Sequence, residues 1–128
     1  MSAAPKPRPK YYDLNLAHLP PPGLLSIFHR VSGGLLFFPI LPLLLYVLES
    51  VLGSGDGFEY WHGVFSHPVV KLALLGATWL YSHHFFAGLR YLLLDLHWGV
   101  DKASARTSAL VVFALGALMT LFVAWRLW

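Results

Sequence analysis

The chain has 128 residues, of which 57% are hydrophobic and 12% are Asp, Glu, Lys or Arg. Soluble domains carry roughly 25% charged residues, so this chain has about half of the charge that a surface facing water needs. A net charge of only +3 and this composition exclude disordered, collagen-like and nucleic-acid-coating proteins. Cysteine is absent, which excludes disulfides and thiolate-ligated iron–sulfur clusters in this chain and leaves seven histidines as its strong metal ligands.

The N-terminal segment is polar, proline-rich and basic, with Lys6, Arg8 and Lys10. A secretory signal would place an apolar core of about 7–15 residues directly after such charges, and a transit peptide would be amphipathic and rich in Arg and Ser. Neither pattern is present, so we expect a polar tail over residues 1–22 and a membrane domain over residues 23–128. A bacterial protein inserted by its own first helix is the simplest interpretation, although a processed organellar chain would also lack its presequence.

Three apolar stretches follow, at about residues 24–52, 69–96 and 108–127. Because roughly 20 helical residues cross the 30 Å hydrocarbon core of a bilayer, each stretch is long enough to be a transmembrane helix. Pro39 and Pro42 lie inside the first stretch and predict a kink there. The sequence therefore predicts an all-α membrane protein with three transmembrane helices.

The two connections between these stretches differ in charge. Residues 53–68 are rich in glycine and are predicted to form a loop, with no Lys or Arg before Lys71. Residues 97–107 carry Lys102 and Arg106, and the N-terminal tail has three basic residues. Since Lys and Arg concentrate on the cytoplasmic side, we expect the N-terminus and the second connection in the cytoplasm and the C-terminus in the periplasm.

A stripe of polar and small residues runs along the second predicted helix. Insertion of an ionisable residue at the bilayer centre costs at least about 2.5–3.5 kcal/mol, so such a residue usually faces protein, water or a cofactor. His84, Gly88, Tyr91 and Asp95 recur at intervals of three or four residues and share one face. A neutral imidazole is a good axial ligand for haem iron, and a glycine one turn away leaves room for a porphyrin. A histidine hydrogen-bonded to a neighbouring helix is the alternative, and the spacing leaves both open.

Other polar residues in the spans have both functional and structural interpretations. His83 lies next to His84, so spacing alone does not decide between them, and we expect His83 to face a partner subunit or a water defect in the lipid. Ser26 and Arg30 share a face of the first helix, where they can bind a propionate or a quinone carbonyl, or Arg30 can reach the headgroups instead. Asp95 can cap the cytoplasmic helix end with Arg90 as its ion-pair partner.

Several runs together resemble a known family. They are Arg8-Pro9 in the tail, SIFHRVSG over residues 26–33, and HFFAGLR over residues 84–90 followed by Asp95. The chain resembles the cytochrome b556 anchor subunits of succinate dehydrogenase, the respiratory complex II, over nearly its whole length. It departs from many relatives at Tyr91, where they have a histidine, although a tyrosine hydroxyl can still bond to a propionate or water.

The resemblance implies roles for individual residues. His84 would be an axial ligand of a b-type haem, with the second imidazole supplied by a second hydrophobic anchor subunit whose helices complete a bundle with these three. Ser26 and Arg30 would contribute to the quinone site at the cytoplasmic interface with the iron–sulfur subunit. His29 and Arg30 would lie near the haem propionates, and Asp95 would be a candidate for delivering protons to the quinone.

The function implied is that of an anchor subunit of succinate:quinone oxidoreductase in the bacterial plasma membrane, without activity of its own. Electrons would pass from the iron–sulfur subunit to a quinone, ubiquinone rather than menaquinone, and a flavoprotein subunit would oxidise succinate. Alternatives are a structural anchor without haem and a fumarate reductase anchor that works in the reverse direction. No nucleic-acid partner is expected, and the absence of an internal repeat disfavours a transporter.

Overall fold

The computed structural model describes residues 16–128, which are helical and include no strand. A short 3-10 turn at Leu16–His18 precedes five helices: α1 (Pro21–Leu35), α2 (Leu41–Gly53), α3 (Gly55–Ser66), α4 (Pro68–Asp95) and α5 (Lys102–Leu127). Most of the polar tail predicted over residues 1–22, including Lys6, Arg8 and Lys10, lies outside the described residues. Helix α1 begins at Pro21, inside the segment predicted to be tail.

Helices α1 and α2 form one continuous helix, Pro21–Gly53, of 33 residues. Between them the backbone widens into a π-helical turn at Leu36–Ile40 that contains Pro39. Proline lacks an N–H and its ring crowds the carbonyl four residues earlier, so a local turn with i→i−5 hydrogen bonds relieves both problems. The Leu41 N–H accordingly bonds to the Leu36 carbonyl, and the helix passes the proline without a break.

The loop predicted over residues 53–68 is wrong, because most of this segment is helix α3. The Ser54 hydroxyl caps α3 by accepting the Gly57 N–H at 3.1 Å. After α3 the chain bends by 87° into α4. The His67 Nδ1 caps α4 by accepting the Val69 N–H at 3.3 Å, and Pro68 occupies the first turn, where its missing N–H costs nothing.

The third apolar helix, α5, begins at Lys102 rather than near residue 108. Its N-cap is Asp101, whose carboxylate accepts the backbone N–H groups of Ala103 at 3.1 Å and Ser104 at 2.9 Å. Hydrogen bonds from Ser104 foremost hold the pKa of Asp101 below its ordinary value. A negative charge at this position also suits the helix dipole, so a charged connection becomes the first turn of a helix.

The core lies where α1, α4 and α5 meet. The buried apolar residues there are few and mostly small: Leu25, Ala87, Ala109 and Val112. Large apolar side chains elsewhere face outward, and Phe38 on the π turn is 80% exposed. Such a surface suits lipid rather than water. Pro21–Gly53 and Lys102–Leu127 are each long and apolar enough to span a membrane, and the bent pair α3–α4 adds a third span if it counts as one.

The crossing of α3 over the end of α2 requires a glycine at position 57. A Cβ on Gly57 would collide with the carbonyl oxygen of Ser50, whereas one on Gly63 of the same helix would meet open space. We predict that Gly57→Ala lowers the stability by about 1–3 kcal/mol, as overpacking does, while Gly63→Ala does not. Thermal unfolding of the protein in detergent measures both, and equal melting temperatures would contradict the prediction.

Candidate functional site

Two imidazoles meet where α1 crosses α4. Each helix carries a histidine and a glycine four residues apart, and each histidine lies over the glycine of the other helix. A Cβ on Gly33 would stand 2.8 Å from Cε1 of His84, and one on Gly88 would stand 3.8 Å from Nε2 of His29. The two rings stack with centroids 4.3 Å apart and an interplanar angle of 10°. The glycines thus let the helices approach closely enough to stack the two rings.

The hydrogen bonds at Nδ1 define the tautomer of His84. This nitrogen lies 3.1 Å from the carbonyl oxygen of His29 and 3.2 Å from the hydroxyl oxygen of Ser32. Because a carbonyl oxygen can only accept, Nδ1 carries the hydrogen of the neutral ring. Nε2 then keeps its lone pair, and among residues 16–128 it has no hydrogen-bond partner. The structural interpretation left open for His84 is thus confirmed at Nδ1, which bonds to a neighbouring helix, and the ligand interpretation stays a prediction for Nε2.

The rest of the α4 stripe follows the same face as far as Tyr91. The Tyr91 ring lies 5.0 Å from the His29 ring, so His84, Gly88 and Tyr91 all contact His29. Asp95, at the end of α4, is exposed and has neither a hydrogen bond nor an ion pair within the described part of the chain.

His83 points into the core, and the prediction that it faces a partner subunit or lipid is wrong. It is fully buried, and its ring lies 5.2 Å from that of Trp79 and 5.1 Å from that of Phe113. Neither nitrogen has a hydrogen-bond partner in the segment 16–128. Adjacent residues lie about 100° apart on a helix, so His83 turns towards α5 and meets α1 only at the Phe28 ring, 6.0 Å away, while His84 stacks on His29 of α1. Gly116 of α5, whose Cβ would stand 3.7 Å from the His83 backbone, permits this contact.

Arg90 connects α4 to α5, and the expected ion pair with Asp95 is wrong. Its Nε donates to the Ser108 hydroxyl at 2.8 Å, and its Nη2 donates to the Ala105 carbonyl at 3.2 Å. Residues five apart lie about 140° apart around a helix, so Arg90 and Asp95 do not share a face. Sequence spacing can exclude that pair, but it cannot identify Ser108 as the partner.

Ser26 and Arg30 lie one turn apart on α1, close to the end that begins at Pro21. Ser26 is partly buried and Arg30 is exposed. Neither side chain makes a hydrogen bond or ion pair to another residue of the described range. Helices α1 and α4 run antiparallel, because His29 pairs with Gly88 and Gly33 with His84. Ser26, Arg30 and Asp95 therefore lie towards the same end of the helix pair.

The two adjacent histidines respond oppositely to replacement by phenylalanine. His83→Phe keeps the aromatic packing and removes two buried nitrogens without partners, so we expect an unchanged or higher melting temperature. His84→Phe removes the hydrogen bond at Nδ1 and presses a larger ring against α1 at Gly33, which costs about 1–3 kcal/mol. Thermal unfolding of both variants in detergent tests this, and a larger loss for His83→Phe would contradict it.

Comparison with known proteins identifies the family. The family model described as "Succinate dehydrogenase/Fumarate reductase transmembrane subunit" matches residues 4–123. The chain is 35% identical to a succinate dehydrogenase cytochrome b556 subunit of Coxiella burnetii, over 94% of this chain and 97% of that protein. It is 28% identical to the subunit of the same name from Paracoccus denitrificans, over 91% of each chain, and 27% identical to a cytochrome b560 subunit of Reclinomonas americana, over 92% of this chain and 84% of that protein. The chain belongs to the succinate dehydrogenase/fumarate reductase transmembrane subunit family.

Proposed function

We propose that this chain is a membrane-anchor subunit of a succinate:quinone oxidoreductase, and that it ligates a b-type haem and forms part of the quinone site. The relatives named cytochrome b556 subunit support a b-type haem. The observation that carries the proposal is the state of His84, with Nδ1 bonded to α1 and Nε2 free. A histidine ligand commonly donates its other ring N–H to a carbonyl or carboxylate in this way.

The residues around His84 suit a haem ligand for three reasons. The tautomer with the hydrogen on Nδ1 presents Nε2, the ring packs closely against Gly33, and Nδ1 has an acceptor on α1. When bound, the haem supplies a one-electron carrier inside the membrane. A second hydrophobic anchor subunit would provide the other imidazole, and its helices would pack with these to form the bundle. His29, whose ring stacks on that of His84, and its neighbour in the sequence, Arg30, would hold the propionates.

Ser26 and Arg30 of α1 bind the quinone headgroup. Arg30 is exposed and has no carboxylate partner in the described range, so its planar guanidinium is free to donate to a quinone carbonyl. Ser26 provides a hydroxyl one turn earlier on the same face. Reduction of a quinone takes two electrons and two protons, and Asp95, at the same end of the helix pair, delivers protons from water.

This end of the helix pair faces the cytoplasm, with the C-terminus in the periplasm of a bacterial cell. The basic residues Lys102 and Arg106 at the start of α5 support that orientation. The iron–sulfur subunit docks there and passes electrons on, and the flavoprotein subunit oxidises succinate. Ubiquinone is the acceptor proposed. A structural anchor without haem is the alternative, and the haem content of the purified complex decides between them.

His84→Ala removes the proposed axial ligand, so the purified complex should lose its reduced b-type haem band. The matched control is His83→Phe, which alters the adjacent histidine but leaves Nε2 of His84 in place and should keep the band. Absorption spectra of the dithionite-reduced complex, normalised to flavin, measure the haem. A band that persists at full intensity in His84→Ala would refute the haem assignment.

Arg30→Leu should slow quinone reduction roughly tenfold or more, because a hydrogen bond from a charged group contributes about 1.5–3 kcal/mol. Ser26→Ala removes a neutral donor and should have a smaller effect. A soluble dye takes electrons from the complex before they reach the quinone site. The rate of electron transfer from succinate to this dye should therefore stay unchanged in both variants. Val31→Ala, an exposed position on the same helix, is the control. Equal losses of dye and quinone activities would indicate a defect of assembly instead.

A further inference from the structure

Resting on the proposed function, we propose that Ser32 is a positioning residue for His84. Its hydroxyl acts with the His29 carbonyl to fix which nitrogen of His84 faces the iron and how the ring is turned. The inference goes beyond the ligand assignment, because it makes the redox potential of the haem depend on a residue of α1 that is not proposed to ligate iron or to bind the quinone.

The surroundings of Ser32 are the first argument. Ser32 is fully buried, as one of four buried polar side chains in the described part of the chain. Its hydroxyl oxygen lies 3.0 Å from the carbonyl oxygen of His29 and 3.2 Å from Nδ1 of His84. A serine inside a helix usually bonds back to the carbonyl three or four residues earlier and does no more. Ser32 makes this bond to the His29 carbonyl and also contacts the His84 imidazole of α4. Its hydroxyl therefore bridges the carbonyl of one helix and the ring of the other.

Counting hydrogens gives the direction of each bond. The Ser32 hydroxyl has one hydrogen, which it donates to the His29 carbonyl. Its lone pairs then face the Nδ1–H of His84, and the same N–H also faces the His29 carbonyl at 3.1 Å. The other tautomer would turn the Nδ1 lone pair towards a carbonyl oxygen, which is repulsive. Two acceptors on α1 therefore select the tautomer that offers Nε2.

The neighbouring residues of α1 restrict the orientation of the ring. Gly33 follows Ser32, and its absent side chain leaves the space that Cε1 of His84 occupies. The His29 ring stacks on the His84 ring and lies nearly parallel to it. His29, Ser32 and Gly33 thus hold the ring by stacking, hydrogen bonding and close packing. A ring held at three sites cannot rotate freely about its Cβ–Cγ bond.

The consequence concerns the haem potential. Acceptors at Nδ1 make Nε2 more basic, and a more basic axial ligand stabilises ferric over ferrous haem. Removal of the Ser32 acceptor should shift the midpoint potential in the positive direction. The His29 carbonyl remains in a Ser32→Ala variant, so haem binding itself should persist.

The test compares Ser32→Ala with Ser82→Ala in the purified, membrane-extracted complex. Ser82 is a buried serine of α4 that makes no hydrogen bond to His84 within residues 16–128, so it controls for the loss of a buried hydroxyl. Redox titration gives the midpoint potential, and electron paramagnetic resonance gives the g-values of ferric haem. We expect Ser32→Ala to raise the potential and shift the g-values, and Ser82→Ala to match the wild type. Identical values for the two variants would overturn the proposal.

A second pair of variants covers the case in which Ser32→Ala does not assemble. Gly33→Ala places a methyl group against Cε1 of His84 and should shift the g-values, whereas Gly34→Ala meets open space and should not. Matching g-values in this pair would overturn the claim that α1 positions the ring. Persistence of haem in His84→Ala would instead refute the proposed function. Loss of haem in His84→Ala, with wild-type potentials in Ser32→Ala, would refute only the role of Ser32.

Discussion

The hydrogen bonding of His84 to α1 is the interaction on which the site depends. Nδ1 of His84 lies within hydrogen-bond distance of two oxygens of α1, the His29 carbonyl and the Ser32 hydroxyl. Their occupation of Nδ1 leaves Nε2 as the free nitrogen. The contact also requires the helices to approach closely, which Gly33 and Gly88 allow. The hydrogen bonding of His84 and the spacing of the two helices are thus consequences of one crossing between α1 and α4.

Helix α4 uses one face for the proposed haem site and another face for its contact with α5. The face that carries His84 and Tyr91 packs on α1 and supplies the proposed haem site. The face that carries His83 and Arg90 packs on α5 and holds the helices together. The two buried polar groups of that second face differ in how they are accommodated. Arg90 donates to acceptors on α5, whereas His83 lies among aromatic rings without a hydrogen bond in the described range.

Much of the fold could be predicted, because long apolar stretches need a bilayer and each of the three spans appears as a helix or part of one. Helix α3 was missed although its caps were visible in the sequence. Ser54 and the His67-Pro68 pair are start signals, but the glycines between them suggested a loop. A glycine is needed at position 57 for a different reason, because α3 crosses close to the Ser50 carbonyl there. A contact between helices explains that residue, and local propensity does not.

By itself the sequence determined the membrane class, the approximate spans and, through the SIFHRVSG and HFFAGLR runs, the family. It also placed His84, Gly88 and Tyr91 on one face, since helical periodicity depends only on spacing. Tertiary structure alone decided which of the adjacent histidines bonds to α1, that Arg90 binds Ser108, and that Ser32 reaches His84. These pairs join residues 18 to 52 positions apart. Their geometry depends on how whole helices cross, which local sequence patterns do not encode.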